Sequence, residues 1–384
     1  MNLLLISVDS LRLDFAPGFN NRVHTPRFSE LTQDFHHLEH CFSVSSATRP
    51  VHTSLFTGLY PFEHGIEGQQ SPAMREGIDH LFDLSQKAGY GVYGYSEAPE
   101  IFTGLNYADQ ISVYPSNLQM LQGLVQSCDP TLLFLHYWSV HAPYGTADGL
   151  AFGEMGRLVA SGRLDLVQTY YCSAIEKLFE FHIAPLLASL DLGSWAIFII
   201  SDHGESWRPE EPYHGQTLRN DVLRVPLYYH LPSIQNKPPA RDLISLVDLF
   251  PTFISLLELD HPYRGFAQDI WSPIPPQYYL AEIDPGPMSD DRSPPNTLFP
   301  PTQYGRQWSL FNSDYKFSYD EKTHSEELVE TWSETPIFDL SSKNRYHQAY
   351  AELKAKSRFS DADFGPGAER DLLQERLRKL GYLA

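Results

Sequence analysis

Short apolar runs alternate with amphipathic stretches along this chain, the rhythm of an α/β protein. Apolar segments at 2–8, 91–96, 131–137, 195–201 and 225–230 predict strands. Two of them, Thr131-Leu132-Leu133-Phe134-Leu135 and Trp195-Ala196-Ile197-Phe198-Ile199-Ile200, are apolar almost throughout, as parallel strands buried on both faces should be. Helical spacing predicts helices over 26–33, 51–57, 78–88, 116–126, 164–189 and 245–257. After about Asp260 the pattern changes. Proline becomes dense through 273–301, which predicts ordered but irregular loops. Beyond them, 307–319 and 327–340 predict short antiparallel strands, and 368–380 a charged helix stopped at Gly381. The expected organisation is one large α/β domain over 1–262 and a smaller C-terminal subdomain over 263–384.

Composition narrows the partners. Lys+Arg 28 against Asp+Glu 48 gives a net charge of −20, which argues against a nucleic-acid backbone or an anionic membrane. A small anionic substrate stays open, because a bound metal ion reverses the field locally. Cys41, Cys128 and Cys172 are odd in number and far apart, so they form neither a disulfide framework nor a zinc cluster and read as free thiols. The first apolar run, Leu3 to Val8, is too short for a secretory signal core, and no run approaches membrane-spanning length. A cytoplasmic protein with no membrane span is the expectation.

Chemistry gathers where predicted strands give way to turns. In an open α/β sheet those carboxyl ends line one edge, where ligands bind. Asp9 follows the first strand and, alone, reads as a helix cap. Asp202-His203 follows the buried run Ile199-Ile200-Ser201, and this pair suits a divalent cation better than a cap. Thr48 precedes Pro50 at the start of a helix. Its hydroxyl there lies near free backbone N–H groups that favour an alkoxide and the anion it attacks, although Ser45, Ser46, Thr53 and Ser54 are neighbouring alternatives. His52, one helical turn on, can face the same anion. His141 follows another strand end, and His214 sits on a loop after Asp202-His203. For each, a structural imidazole is as common as a functional one. The cluster His36, His37 and His40 reads as exposed or structural, and Lys316 is a lone cation.

Laid end to end, these segments resemble the sulfatase family of the alkaline phosphatase superfamily. The resemblance runs from Leu4-Leu5-Ile6-Ser7-Val8-Asp9-Ser10-Leu11-Arg12 through Thr48 to Gly58, His141-Ala142-Pro143-Tyr144 and Ser201-Asp202-His203-Gly204-Glu205, to Leu380-Gly381-Tyr382-Leu383. It implies a large mixed, mostly parallel β-sheet flanked by helices, with a small C-terminal α+β subdomain. It also implies hydrolysis or transfer at a sulfate, phosphate or phosphonate ester through a metal-bound nucleophile.

Departures from the family pattern refine the expectation. Counting back from Thr57-Gly58, the nucleophile slot holds Thr48, the Pro slot Pro50, and the slot of the motif's arginine His52. Sulfatases oxidise a Cys or Ser in that slot to formylglycine, and threonine is no recognised substrate for that conversion. Ser10 replaces the second residue of the family's Asp-Asp pair, removing a ligand of the calcium-type site. What is left, Asp9, Thr48, Asp202 and His203, looks like the one-metal site of phosphoglycerol transferases and related phosphodiesterases. A mixed O/N shell suits Mn²⁺ or Zn²⁺ better than Ca²⁺, and no second Asp-His-His set is evident. The resemblance then gives Thr48 as nucleophile, His141 as general acid, and His52, His214 and Lys316 as contacts of a small anionic ester. A sulfuric ester hydrolase and a catalytically silent binding protein are the alternatives.

Overall fold

A computed structural model describes residues 1–359, except 116–117, 127–129, 146–151, 233–236, 238, 264, 287–303, 339–342 and 358. In chain order its strands are β1 (Asn2–Val8), β2 (His36–Phe42), β3 (Gly91–Ser96), β4 (Ile111–Val113), β5 (Thr131–Tyr137), β6 (Trp195–Ser201), β7 (Ser206–Arg208), β8 (Glu211–Tyr213), β9 (Arg224–His230), β10 (Ile244–Ser245), β11 (Tyr279–Ile283), β12 (Gln307–Phe311), β13 (Tyr315–Asp320) and β14 (Glu326–Glu330). Eight of them form one sheet in the order β10-β2-β9-β6-β1-β5-β3-β4. All neighbours in it are parallel except at β9, which runs against both β2 and β6.

Helices cover both faces of this sheet, so the alternation of side chains along each central strand feeds two cores. From β1, Leu3 and Leu5 enter one core, and Leu4, Ile6 and Val8 the other. From β5, Leu132 and Phe134 join the first core; from β6, Ala196, Phe198 and Ile200 do. The same parity puts Ser7, Asp9, His136 and Asp202 on that first face, the last three at or just past the strand ends. Helix Thr48–Thr57 lies over this face, with Val51, Leu55 and Phe56 in the same core.

That helix starts three residues earlier than its apolar spacing predicts. Ala47, in extended conformation, is its N-cap, and Thr48 is the first helical residue rather than a cap. It ends at Gly58, whose φ of 70° is the left-handed conformation that glycine takes at a helix stop. The long helix expected over 164–189 is interrupted. It runs Leu164–Leu178, widens over Phe179–Ile183 and resumes as Ala184–Leu187. Pro185 has no N–H to continue the ladder, and the wider turn accommodates it.

β7 and β8 pair with each other, and the last four strands build an antiparallel sheet, β11-β12-β13-β14. It packs onto the large sheet's first core through Leu280, Trp308, Leu310 and Phe317, with Tyr346 and Tyr350 of helix Lys343–Lys356 beside them. Glu282 N–H donates to Val44 O at 2.8 Å and Asp284 N–H to Glu67 O at 2.8 Å, tying β11 to the loops on either side of helix Thr48–Thr57. The helix expected over 368–380 and the thiol of Cys128 lie outside the described residues. No described helix is long and apolar enough to cross a membrane.

Candidate active site

Pairing register brings distant side chains to one point. Val8 lies opposite Ser201 on one side and Tyr137 on the other, so Asp9 and Asp202 leave adjacent strands at the same level. The turn after β1 is tight, with Ser10 at a positive φ of 61°, unusual for a residue with a Cβ. This places the Ser10 hydroxyl 2.8 Å from Asp9 Oδ1, and its N–H 3.2 Å from Asp202 Oδ1, which also accepts the His203 N–H at 2.8 Å. Each carboxylate thus has one oxygen engaged by local donors, leaving Oδ2 turned inward. Gly204 makes the next turn possible, since a Cβ there would come within 2.1 Å of Asp221 O.

Thr48 Oγ1 meets them from the helix. It lies 3.3 Å from Asp9 Oδ2, to which it donates, and 3.3 Å from His203 Nε2. The His203 ring is fixed from behind, its Nδ1–H donating to Gly204 O at 2.9 Å. That tautomer leaves the Nε2 lone pair facing the hydroxyl and Asp202 Oδ2, which is 3.5 Å away. Asp9, Thr48, Asp202 and His203 are all fully buried. The structure therefore brings together the four residues expected at the centre.

Electrostatics agrees with a cation between them. Burial works against ionising Asp9, but His141, the adjacent His136 and His203 outweigh it and hold its carboxyl well below the usual range. Asp202 moves the other way, pushed well above by burial and then by the charge of Asp9. Two such carboxylates cannot both be ionised without a compensating charge. Asp202 Oδ2, moreover, is buried without a hydrogen-bond partner. Ligand atoms of Asp9, Asp202 and His203 all lie within 4.8 Å of one another. These residues fit a divalent ion, which would displace the proton and engage the orphaned oxygen.

The other expected contacts fare differently. His141 and His214 flank the centre, with rings 4.8 Å apart, and the His214 ring is 4.4 Å from that of His203. Burial lowers His141 to about 4, and burial followed by His203 lowers His214 to about 3, so both rings are neutral at neutral pH. His52, by contrast, has both ring nitrogens taken up within the fold. Its Nδ1 bonds Thr48 O at 2.9 Å and its Nε2 Ser7 Oγ at 3.0 Å, so the ring fastens the helix start to β1 from beneath. Lys316 is also elsewhere. Its ammonium is buried on β13 and bonds Leu218 O, Asn220 Oδ1 and Glu334, none of them in the cluster. A lone lysine at the right chain distance carries no information about which way its strand faces.

Two further residues belong here. His136 lies opposite Ser7 on β1 and Ser96 on β3. Its Nε2 is 3.3 Å from Asp9 Oδ2, and it forms a second group of potential ligands with His52 and Asp202. Glu205 accepts or donates at 2.9 Å to His214 Nδ1, and burial pushes its carboxyl up to about 8. The signal for His136 was its place as the polar break near the end of an otherwise apolar strand, on the parity of Asp9.

Comparison with known proteins places this geometry in a family. A family model described as Sulfatase matches residues 1–259. Among solved structures, the phosphonate monoester hydrolase of Agrobacterium radiobacter is similar at a TM-score of 0.62 and 15% identity, covering 93% of this chain and 95% of that one. The phosphonate monoester hydrolase SpPMH from Silicibacter pomeroyi gives 0.62 and 17%, covering 98% and 95%. A 2-O GAG sulfatase gives 0.62 and 13%, covering 92% and 90%. No match was found among curated proteins. At such identities the structures speak for the fold, which is the alkaline phosphatase-like one of sulfatases and phosphonate monoester hydrolases. With the family model spanning most of the chain and the strand-end residues assembled as described, the chain belongs to the sulfatase family of hydrolases.

Proposed function

We propose that this protein is a metal-dependent hydrolase or transferase acting on small phosphate or phosphonate esters, with Thr48 Oγ1 as the nucleophile. The observation that carries the reading is the threonine hydroxyl itself, buried and 3.3 Å from both Asp9 Oδ2 and His203 Nε2. Asp9, Thr48, Asp202 and His203 would hold one divalent ion, Mn²⁺ or Zn²⁺ in preference to Ca²⁺. Such an ion, when bound, supplies a Lewis acid that favours the alkoxide and offsets the charge of the ester.

The chain's own groups do the rest. Asp9 Oδ2 accepts the Thr48 hydroxyl and aligns Oγ1 for attack on phosphorus in line with the leaving alcohol. The first helical turn offers fewer donors than a bare helix start. Arg49 N–H is capped by Gln69 Oε1 at 3.2 Å and Pro50 has none, which leaves the Thr48 N–H to meet a non-bridging oxygen. His141 donates its Nδ1–H to Ala142 O at 2.6 Å, so Nε2 is the atom that exchanges a proton with the leaving group. An incoming anion favours the imidazolium there, which makes His141 competent as an acid once the ester is in place. Water or an acceptor alcohol then releases the phosphoryl group from Thr48.

A panel of aryl phosphate, bis-aryl phosphate, phosphonate and sulfate esters, each with Mn²⁺, Zn²⁺ or Ca²⁺, tests the assignment. Turnover of the phosphorus esters is expected, lost by at least about 10³-fold in Thr48→Ala while folding and metal binding persist. Faster turnover of sulfate esters would favour a sulfuric ester hydrolase, and full activity of Thr48→Ala would remove the nucleophile from the scheme.

A further inference from the structure

Beside the four residues above, one buried imidazole has no task. His136 is fully buried, and its Nε2 has no hydrogen-bond partner. That nitrogen lies 3.3 Å from Asp9 Oδ2 without a hydrogen bond between them, so two electron-rich atoms face each other across a gap that a cation would fill. Asp202, whose Oδ2 is likewise orphaned, belongs both to the group with Asp9 and His203 and to a neighbouring group with His136 and His52, the ligand atoms within each group lying within 4.8 Å of one another. An imidazole nitrogen and a carboxylate oxygen, both desolvated and both unanswered, are costly unless something sits between them. His52 is not that partner, because Thr48 O and Ser7 Oγ already occupy both its nitrogens. A separate second ion on His52, His136 and Asp202 would have to break one of those bonds.

We propose that His136 Nε2 is a direct ligand of the ion held by Asp9, Thr48, Asp202 and His203, completing a donor set of three oxygens and two imidazole nitrogens. The inference rests on the metal site of the preceding reading and adds a residue to it. Geometry from three neighbouring strands supports the assignment. Register aligns Ser96, His136 and Ser7 across β3, β5 and β1, and Asp9 follows Ser7 on the same face. Ser96 Oγ lies 2.8 Å from His136 Nδ1 and is itself held by the Ala98 N–H at 2.9 Å. With Nδ1–H donated to Ser96, the Nε2 lone pair is left for the ion, the arrangement that fixes metal-binding imidazoles elsewhere. Two nitrogens move the site away from the hard, all-oxygen shell that Ca²⁺ prefers.

Counting coordinated nitrogens tests this directly. Full-length protein carrying ¹⁵N-labelled histidine is loaded with Mn²⁺ and examined by pulsed EPR, and Mn²⁺ affinity is measured by calorimetry. Two coupled imidazoles are expected in the wild type and one in either His136→Ala or His136→Gln, with Mn²⁺ affinity reduced roughly 10- to 100-fold. The wild-type count needs no variant and so stands even if both substitutions unfold the protein. A single coupled imidazole in the wild type, or two that persist in a folded His136 variant, overturns the assignment while leaving the four-residue site intact. A wild type that takes up no Mn²⁺ or Zn²⁺ overturns the metal site and this ligand together.

Discussion

At the scale of single residues, the site is set by which atoms are already spoken for. Asp9 and Asp202 each spend Oδ1 on Ser10 or on a backbone N–H, and His203 spends Nδ1 on Gly204 O, so the remaining atoms converge. The same accounting separates His52 and Lys316 from the chemistry. Lys316 Nζ is a buried cation whose acceptors are Leu218 O, Asn220 and Glu334, and burial lowers its pKa against the pull of Glu334. Removing it strands Glu334, which is 19% exposed and so partly rescued by water. Lys316→Met is therefore expected to destabilise the fold by roughly 1–3 kcal/mol. Its KM for the ester should stay at the wild-type value. A KM rise of tenfold or more with unchanged stability would return Lys316 to the substrate.

At the scale of elements, helix Thr48–Thr57 and the strands around it show what the chain's pattern reveals and what it hides. Buried runs in β1, β5 and β6 announce themselves as apolar strings, and their last residues locate Asp9 and Asp202-His203 without a structure. Parity and pairing are needed for the rest. His136 becomes visible as a site residue only once β5 is known to lie beside β1 with His136 opposite Ser7. β2 escapes notice because His36, His37, Glu39 and His40 break its pattern, its apolar signal being confined to the end that enters the core. β11 hides for another reason, its short apolar run Tyr279–Ile283 lying within a proline-rich stretch that reads as loop. The start of helix Thr48–Thr57 depends on a residue no local signal marks. Ala47 offers no side-chain cap, and Gln69 Oε1 supplies one from a separate loop by accepting the Arg49 N–H. Gln69→Ala is expected to cost about 1 kcal/mol in urea unfolding, as for loss of an ordinary cap. Asn in its place should recover less than Gln if reach is what matters, and a neutral Gln69→Ala would mean the helix start is held by packing alone.

At the scale of the molecule, the antiparallel sheet is joined to the large one by buried charge as well as by apolar packing. Arg306 Nη2 lies 2.8 Å from Glu67 and 3.4 Å from Glu282, while Glu282 also accepts the Tyr350 hydroxyl at 2.7 Å and the Phe62 N–H at 3.0 Å. One guanidinium therefore serves two carboxylates. Burial, reinforced by the charge of Glu282 and only partly offset by Arg306, pushes Glu67 from its ordinary 4.5 up to about 7. A carboxyl whose folded pKa exceeds its unfolded one takes up a proton on folding, so its stabilising contribution is complete below about 4.5 and is lost as pH rises through about 7. Glu67 is 22% exposed, so the change is discounted to on the order of 1–2 kcal/mol. The Glu67 contribution to the unfolding free energy should thus fall between pH 5 and 8, and the profile of Glu67→Gln should lack that fall because glutamine stays neutral throughout. Subtracting the two profiles isolates Glu67 from Asp248 and Glu205, which burial raises to about 6 and about 8, and from His52, His64, His141 and His214, which burial lowers to about 3 or 4 and which add stability as pH rises towards about 6.5. Parallel profiles would show that Arg306 keeps Glu67 ionised, and that the junction between the two sheets holds a full ion pair at every pH in the window.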